Sequence, residues 1–440
     1  MIRRATAAHT ALALLLVVTA PACRGGGAPG APVAVPRVAV DGVGGTPTDR
    51  RIAATQAKLD ATPNDDTARL ALASQLLQKA RETADPSLYE RAGTLLDDLT
   101  KRRPSDAAVL VASGTLALAR HDFRRALNLG TKALALAPGF NSAYAVLIDA
   151  NNELGRYDVA VTLTQAMADA KPDLAALARV SYVRELRGDL DGAITAMGQA
   201  VTAGQAPGGG ENLAYAQVLL GQLLLTTGRL DAAERAFADA ETAFRGFPAA
   251  AIGRARLLVA RGDLPGAAGL YADVVRRAPL AEYVIEQAEV ARAMGDTTGA
   301  NEATGLVNAI AKVYRANGVN VDLELAVFSA DEKPGKDAVA RARRALKDRP
   351  GIQAHDGLAW NLFKVGKLDE AAAEADAALA LGWKDPRARY HAAAIADARG
   401  RADEARTHLQ VVLATNPRFS ASLAPVVADL AGRLGLDRPA

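Results

Sequence analysis

The sequence predicts an all-α fold, a superhelical solenoid of about ten helix-turn-helix repeats. The main observation is a set of alanines that recur every 33 to 40 residues, and mostly every 33 or 34. Since a unit of this length cannot bury its own apolar face, successive units must stack on one another. Around these marks the apolar residues follow helical spacing and not strand alternation. The alanines are Ala92, Ala126, Ala160, Ala193, Ala233, Ala267, Ala300, Ala338, Ala371 and Ala405.

Each repeat is expected to consist of two helices joined by a glycine turn. The run from turn to alanine has a common form in Gly155-Arg-Tyr-Asp-Val-Ala160 and in Gly366-Lys-Leu-Asp-Glu-Ala371. Glycine ends the first helix by accepting a left-handed conformation, and the aspartate caps or complements the start of the second. A small residue such as Gly221 or Ala359 stands before most turns and lets the two backbones approach closely. Prolines such as Pro172 end the second helix.

Three segments interrupt the repeat period. Residues 81–86 lengthen the first turn, residues 204–211 form a glycine-rich link, and a further break lies at residues 317–320. Glycine and proline content makes the second of these a flexible connection. Residues 420–434 are expected to form a last helix that caps the exposed end of the stack, as terminal repeats generally require.

This pattern resembles the tetratricopeptide repeat family, whose unit is a 34-residue helix-turn-helix with small residues at the helix crossing. The resemblance covers roughly residues 64–418. The large aromatic expected early in the second helix is present as Phe237 and Tyr271, but Gly130 and Thr164 replace it elsewhere. The resemblance implies a non-catalytic scaffold for protein or peptide partners, which lie along a concave groove lined by the first helices.

The N-terminus has the features of an export signal. Arg3 and Arg4 precede an apolar run over residues 11–18 and a small-residue stretch that ends at Ala22. Cys23, the one cysteine in 440 residues, follows directly. This placement resembles the lipobox of bacterial lipoproteins, in which the cysteine carries the lipid. The alternative is an ordinary cleavage site at Ala20-x-Ala22, which would release a soluble periplasmic or secreted protein.

The expected domain order follows from these segments. Residues 1–22 are the signal peptide, 23–49 the anchor cysteine with a tether rich in glycine, proline and alanine, 50–418 the repeat array, and 419–440 the capping helix and tail. The expected address is the bacterial cell envelope, with a lipid anchor in a membrane. Arg24 after the cysteine, where aspartate is absent, favours the outer membrane facing the periplasm by analogy.

The search for catalytic chemistry in the sequence gives no candidate. The five histidines are scattered, and the single cysteine excludes a cysteine-histidine metal site. Neither a phosphate-binding loop nor a nucleophile elbow is present. Formal charge is +3, and Arg3 with Arg4 supplies two of these charges, so nucleic-acid binding is not expected. We therefore expect no enzymatic activity, no metal and no cofactor.

What remains is recognition of a partner in the groove. The alternative function is a small-ligand or glycan carrier that uses Trp360, Phe363 and Tyr390 as a stacking platform, although Trp360 and Phe363 are equally expected to pack between helices. The groove residues predicted from the repeat register are Asp149, Asn152, Tyr182, Glu185, Tyr215, Gln222, Arg256, Glu282, Glu289, Arg292, Gln353, Asp356, Trp360, Phe363, Arg387 and Tyr390.

Overall fold

The computed structural model describes residues 45–205 and 210–437. These residues form 22 helices, and no strand occurs among them. The predicted signal peptide, Cys23 and the tether up to residue 44 lie outside the described residues. Within the described ranges, no helix combines the length and apolar character that crossing a membrane requires.

The helices follow one another along the chain with short connections. The first half contains α1 Pro47–Ala61, α2 Asp66–Thr83, α3 Ser87–Arg102, α4 Ala107–Ala119, α5 Phe123–Leu136, α6 Asn141–Glu153, α7 Tyr157–Ala170, α8 Leu174–Leu186, α9 Leu190–Ala203, α10 Gly210–Thr226 and α11 Leu230–Ala243. The second half contains α12 Pro248–Arg261, α13 Leu264–Arg277, α14 Ala281–Ala293, α15 Thr297–Ala316, α16 Asp322–Glu332, α17 Lys336–Asp348, α18 Ile352–Lys364, α19 Leu368–Leu379, α20 Pro386–Ala398, α21 Ala402–Ala414 and α22 Ala424–Arg433.

Helices α2 to α21 form ten consecutive packed pairs, which confirms the predicted all-α solenoid of about ten repeats. Helix α1 packs on α2 at one end and α22 on α21 at the other. All ten recurring alanines lie on the second helix of a pair and are buried. Their small side chains let the two helices of each pair approach closely, so the period of the alanines in the sequence corresponds to the period of the helix crossings.

The aspartates of the turn motif lie two positions further into the helix than the N-cap residue. Asp158 and Asp369 belong to the first turns of α7 and α19, and neither helix has a side-chain cap. There the negative charge of each aspartate interacts favourably with the positive end of the helix dipole. Asp158 also accepts a hydrogen bond from Arg187 of the following turn at 3.2 Å. The motif therefore links neighbouring repeats as well as starting a helix.

Aromatic packing explains the small residues on the first helices. Phe237 is fully buried between Gly221 and Gly253, where a Cβ atom on either glycine would stand 2.3 to 2.4 Å from the ring. At Gly130, which replaces the aromatic, Leu147 of the next repeat fills the space. A large side chain on one helix is thus matched by a glycine on the helix that it packs against, and the space between the helices is filled in either arrangement.

The superhelix closes on itself. The Ile352 N–H donates to the Tyr157 hydroxyl at 2.7 Å, and the Asn320 carbonyl oxygen accepts a hydrogen bond from His121 Nδ1 at 2.7 Å. These partners are 195 and 199 residues apart, nearly six repeats of about 34 residues. Successive superhelical turns are therefore in contact, and the concave groove is closed along part of its length.

Candidate binding surfaces of the groove

All sixteen predicted groove residues lie on first helices of their pairs, namely α6, α8, α10, α12, α14, α18 and α20. All but Asn152 fall into three groups, and Arg256 belongs to two of them. One group makes ion pairs and hydrogen bonds to other repeats, a second packs in an aromatic cluster, and a third lines two cavities. Only the third group is placed where a partner or ligand can reach it.

Ion pairs between neighbouring repeats occupy several of the predicted residues. Asp149 of α6 binds the Arg179 guanidinium through both carboxylate oxygens, at 2.9 and 2.6 Å, and both side chains are almost fully buried. Arg256 binds Glu286 in the same bidentate manner at 2.9 and 2.7 Å. Buried charges are tolerated in such places because each is paired and hydrogen-bonded. Burial nevertheless raises the pKa of Asp149 to about 6.

Other predicted residues are also buried or paired, and the contacts of Glu289 reach a distant repeat and not a neighbouring one. Glu289 accepts a hydrogen bond from the Ser420 hydroxyl at 2.8 Å and lies 3.6 Å from Arg387. Arg292 pairs with Glu332, and the Asp356 carboxylate accepts a hydrogen bond from His391 Nδ1 at 2.9 Å. The Asn152 side chain is buried without a hydrogen-bond partner among the residues that the structure describes.

The sequence contains a signal for these pairs that the repeat register alone did not reveal. Asp149 and Arg179 are 30 residues apart, and Arg256 and Glu286 are also 30 apart. Two side chains on first helices of adjacent units come together at this separation, slightly less than one repeat. In this chain, opposite charges 30 residues apart on first helices therefore indicate a link between neighbouring repeats.

The aromatic residues proposed as a stacking platform form a buried cluster. Trp360 is only 3% exposed, and its ring stacks on His391 at 4.1 Å and on Phe363 at 4.9 Å between centroids. Its indole N–H donates to Asp331 at 3.0 Å. Tyr390 is buried beside it, and Phe363 is half-buried. These contacts place the three rings between helices, so they do not form an open surface for a glycan.

Five of the predicted residues meet in one cavity of about 120 Å³, which we call the groove cavity. Helices α8, α10 and α12 form one wall, and α18, the start of α20 and residues 416 and 419 form the other. The Gln353 amide donates to the Tyr182 hydroxyl at 3.2 Å across this space. The predicted residues that line it are Tyr182, Glu185, Gln222, Arg256 and Gln353.

A carboxyl group with a raised pKa, that of Glu185, lines the groove cavity. Burial raises the pKa of Glu185 to about 7, and the nearby carboxylate of Asp385 raises it further. Burial also raises the pKa of Asp385, although that side chain caps α20 by accepting from the N–H groups of Arg387 and Ala388 at 3.0 and 2.9 Å. Two like charges near one cavity hold a proton more tightly than either would alone.

We expect Glu185→Gln to stabilise the protein by about 3 kcal/mol at pH 8 and not at pH 4. The ordinary pKa of a glutamate, 4.5, applies in the unfolded chain, whereas the folded chain releases the proton near pH 7. A raised folded-state pKa contributes stability that is complete below pH 4.5 and is lost as the pH rises through 7. Glutamine cannot ionise and keeps that contribution at every pH.

The measurement is denaturant unfolding of both chains between pH 4 and pH 8. Glu302→Gln on α15 is the matched control, since Glu302 is exposed. A pH-independent difference between Glu185→Gln and the natural chain would show that the carboxyl group ionises normally.

A second cavity of about 190 Å³ is lined by tyrosines, and we call it the tyrosine cavity. Tyr89, Tyr215, Tyr283 and Tyr314 line it, which are four of the nine tyrosines in the chain. Tyr215 and Glu282 were predicted to face the groove, and both are found here. The register did not identify Tyr89 and Tyr314, because they lie on the second helices α3 and α15.

The stacked pairs define a helical-repeat solenoid, a class whose extended faces bind other molecules. The family model for the tetratricopeptide repeat matches residues 111–175, 218–282 and 357–418. These three segments are similar to tetratricopeptide repeats, and together they cover less than half of the chain. Proteins built from such repeats are generally interaction scaffolds without catalytic activity, and they typically bind protein partners.

Several solved structures are similar to this chain. TTC0263, a tetratricopeptide repeat protein of Thermus thermophilus, is 23% identical over 40% of this chain and 91% of its own, with a TM-score of 0.36. PilW, a type IV pilus biogenesis factor, is 18% identical over 46% of this chain and 92% of its own, with a TM-score of 0.39. The Cut9-Hcn1 structure matches 88% of this chain and 96% of its own at 14% identity, with a TM-score of 0.37. No curated protein sequence matches at a significant level.

Proposed function

We propose that the protein is a non-catalytic scaffold of a bacterial cell envelope that binds a protein partner in its concave groove. The observation that supports this proposal is the groove cavity, where five residues from the first helices of different repeats converge. An arrangement of stacked helix pairs supports a role in binding, because each pair exposes one surface along a continuous face.

The partner segment that fits the groove cavity is short. The contacts between Tyr157 and Ile352 and between Arg349 and Glu153 close the groove on one side of it. Polar groups of Glu185 and Gln222 stand beside apolar surface from Leu219, so the lining offers both hydrogen bonds and apolar contact. One or two residues of a partner suit this space better than a long peptide laid along the whole superhelix.

The proposed address rests on the N-terminal sequence. Cys23, with the small residues before it, supports a lipid anchor, and the tether that follows gives the repeat array reach from the membrane. We propose the outer membrane facing the periplasm, with a soluble periplasmic or secreted form as the alternative. Labelled palmitate is expected to enter the intact chain and not a Cys23→Ser variant. Equal labelling of both would overturn the anchor.

The partner site is tested by photo-crosslinking in intact cells. A photo-reactive residue placed at Gln222 is expected to capture a protein partner, whereas the same residue at the exposed Glu302 of α15 is not. The membrane fraction is then analysed for products heavier than the chain. Crosslinks from Glu302 with none from Gln222 would move the interface to the outer face, and their absence at both positions would contradict the scaffold role.

A further inference from the structure

The tyrosine cavity has the size of a small-molecule site. Its volume is about 190 Å³, and engineered cavities of about 150 Å³ hold a molecule the size of benzene. Parts of α2, α3, α10 and α14 meet around it, together with the segment before α16. The site is separate from the groove cavity and shares none of its lining residues.

The tyrosines in the walls of this cavity are uncharged at neutral pH. Burial raises the pKa of Tyr215 and of Tyr283 well above the ordinary value of 10, and the Glu282 carboxylate adds to both effects. Burial likewise raises the pKa of Tyr314. Neutral aromatic rings attract a cation placed within about 6 Å of the ring centre, and the attraction is larger where water is excluded.

Negative charge exceeds positive charge around the tyrosine cavity. Glu211, Glu282 and Glu324 line it, with Arg81 as the one arginine or lysine among the lining residues that the structure describes. The Arg81 charge is balanced by Glu211, whose carboxylate binds it at 2.9 Å. Arg349, which does not line the cavity, binds Glu324 and Glu153 at the same time, so it balances the Glu324 charge only in part. The surplus of carboxylates disfavours an anionic ligand and favours a cation that also contacts the aromatic surface.

Two polar atoms at this cavity lack hydrogen-bond partners. The hydroxyl of Tyr215, a residue only 7% exposed, has no partner within the described ranges, and neither has Glu324 Oε2. The other oxygen of Glu324 accepts from Arg349 at 2.8 Å. A buried polar atom that is left unpaired destabilises the folded state, because it has lost its hydrogen bonds to water. Both atoms accept hydrogen bonds, so a ligand that brings N–H donors would satisfy them.

We infer that the tyrosine cavity binds a primary alkylammonium group. Such a group combines a positive charge, N–H donors and a short apolar chain, and each of these matches one feature of the lining. A neutral alcohol of the same size lacks the charge, and a quaternary ammonium lacks the donors. A free amine and a lysine side chain of a partner protein share this chemistry.

The test is calorimetric titration of the intact chain with n-butylammonium, tetramethylammonium and 1-butanol. We expect butylammonium to bind at least tenfold more tightly than butanol and more tightly than tetramethylammonium. Equal affinities for butylammonium and butanol would overturn the inference, and so would a preference for tetramethylammonium. A short peptide with one internal lysine distinguishes the sources: if it binds as tightly as butylammonium, the ligand is a partner's side chain, and if only the free amine binds, it is a small molecule.

Variants of the lining complete the experiment. Glu282→Gln is expected to weaken butylammonium binding at least tenfold, and Tyr215→Phe several-fold. Tyr144→Phe is the matched control, because Tyr144 is a half-buried tyrosine of α6 outside this cavity. Unfolding midpoints verify that each variant is folded. Unchanged affinity in a folded Glu282→Gln variant would overturn the inference, and this result is independent of crosslinking at Gln222.

Discussion

Replacing Arg349 by methionine is expected to lower the free energy of unfolding by about 3 to 5 kcal/mol. The side chain is 3% exposed, and its guanidinium donates to Glu153 from Nε at 3.0 Å and to Glu324 from Nη1 at 2.8 Å. Glu153 belongs to α6 and Glu324 to α16, so one cation joins two superhelical turns. Methionine leaves both carboxylates in place without their shared counter-charge, and this is the cost that the prediction measures.

The matched control is Arg343→Met on α17. Arg343 pairs with Glu370 at 2.8 Å, but both side chains are about half exposed. Exposed pairs contribute little, so this change is expected to alter stability by no more than about 0.5 kcal/mol. Adding Glu153→Gln to Arg349→Met is expected to recover part of the loss by removing one of the unpaired charges. Similar denaturation midpoints for the two methionine variants would contradict the prediction.

The repeat architecture was predictable because it depends on local and adjacent contacts. A helix pair must present a small residue at its crossing, and the same requirement recurs in every unit, as Ala126 and Ala405 show. The positions that depart from the aromatic pattern are compensated inside one repeat or by its neighbour, as Leu147 does for Gly130. Contacts of this range leave a periodic trace in the sequence.

The candidate sites were predictable only in part. The register correctly placed residues such as Gln222 and Trp360 on first helices, but helix identity does not tell whether a side chain faces open space or a neighbour. Trp360 has an acceptor in Asp331, 29 residues earlier, and this contact holds it inside. Whether the residues of the groove cavity bind a partner stays a prediction.

The contacts that close the superhelix left no periodic pattern in the sequence. Pairs such as Tyr157 with Ile352 are 195 residues apart, and their meeting depends on small rotations accumulated over almost six repeats. The three interruptions of the period also change the rotation between repeats. The total rotation over six repeats therefore cannot be read from the local sequence. The tyrosine cavity was missed for the same reason, since Tyr89 and Tyr314 are brought together only by closure.

Gly155→Ala is expected to separate the superhelical turns and enlarge the radius of gyration of the chain. Gly155 has a φ of +68°, and a Cβ atom added there would stand 2.2 Å from the carbonyl oxygen of Pro350 in the next turn. That oxygen belongs to the backbone and cannot rotate away as a flexible side chain would. The turns must therefore move apart, and the hydrogen bond from the Ile352 N–H to Tyr157 is expected to break with them.

Gly366→Ala separates this effect from backbone strain. Gly366 occupies the same turn position with a φ of +78°, but an added Cβ would meet nothing within 4 Å. Both variants should lose about 1 to 2 kcal/mol from the left-handed conformation. Only Gly155→Ala should increase the radius of gyration in small-angle scattering and accelerate amide hydrogen exchange at Ile352. Equal scattering curves for the two variants would mean that the turns are not held together at this contact in solution.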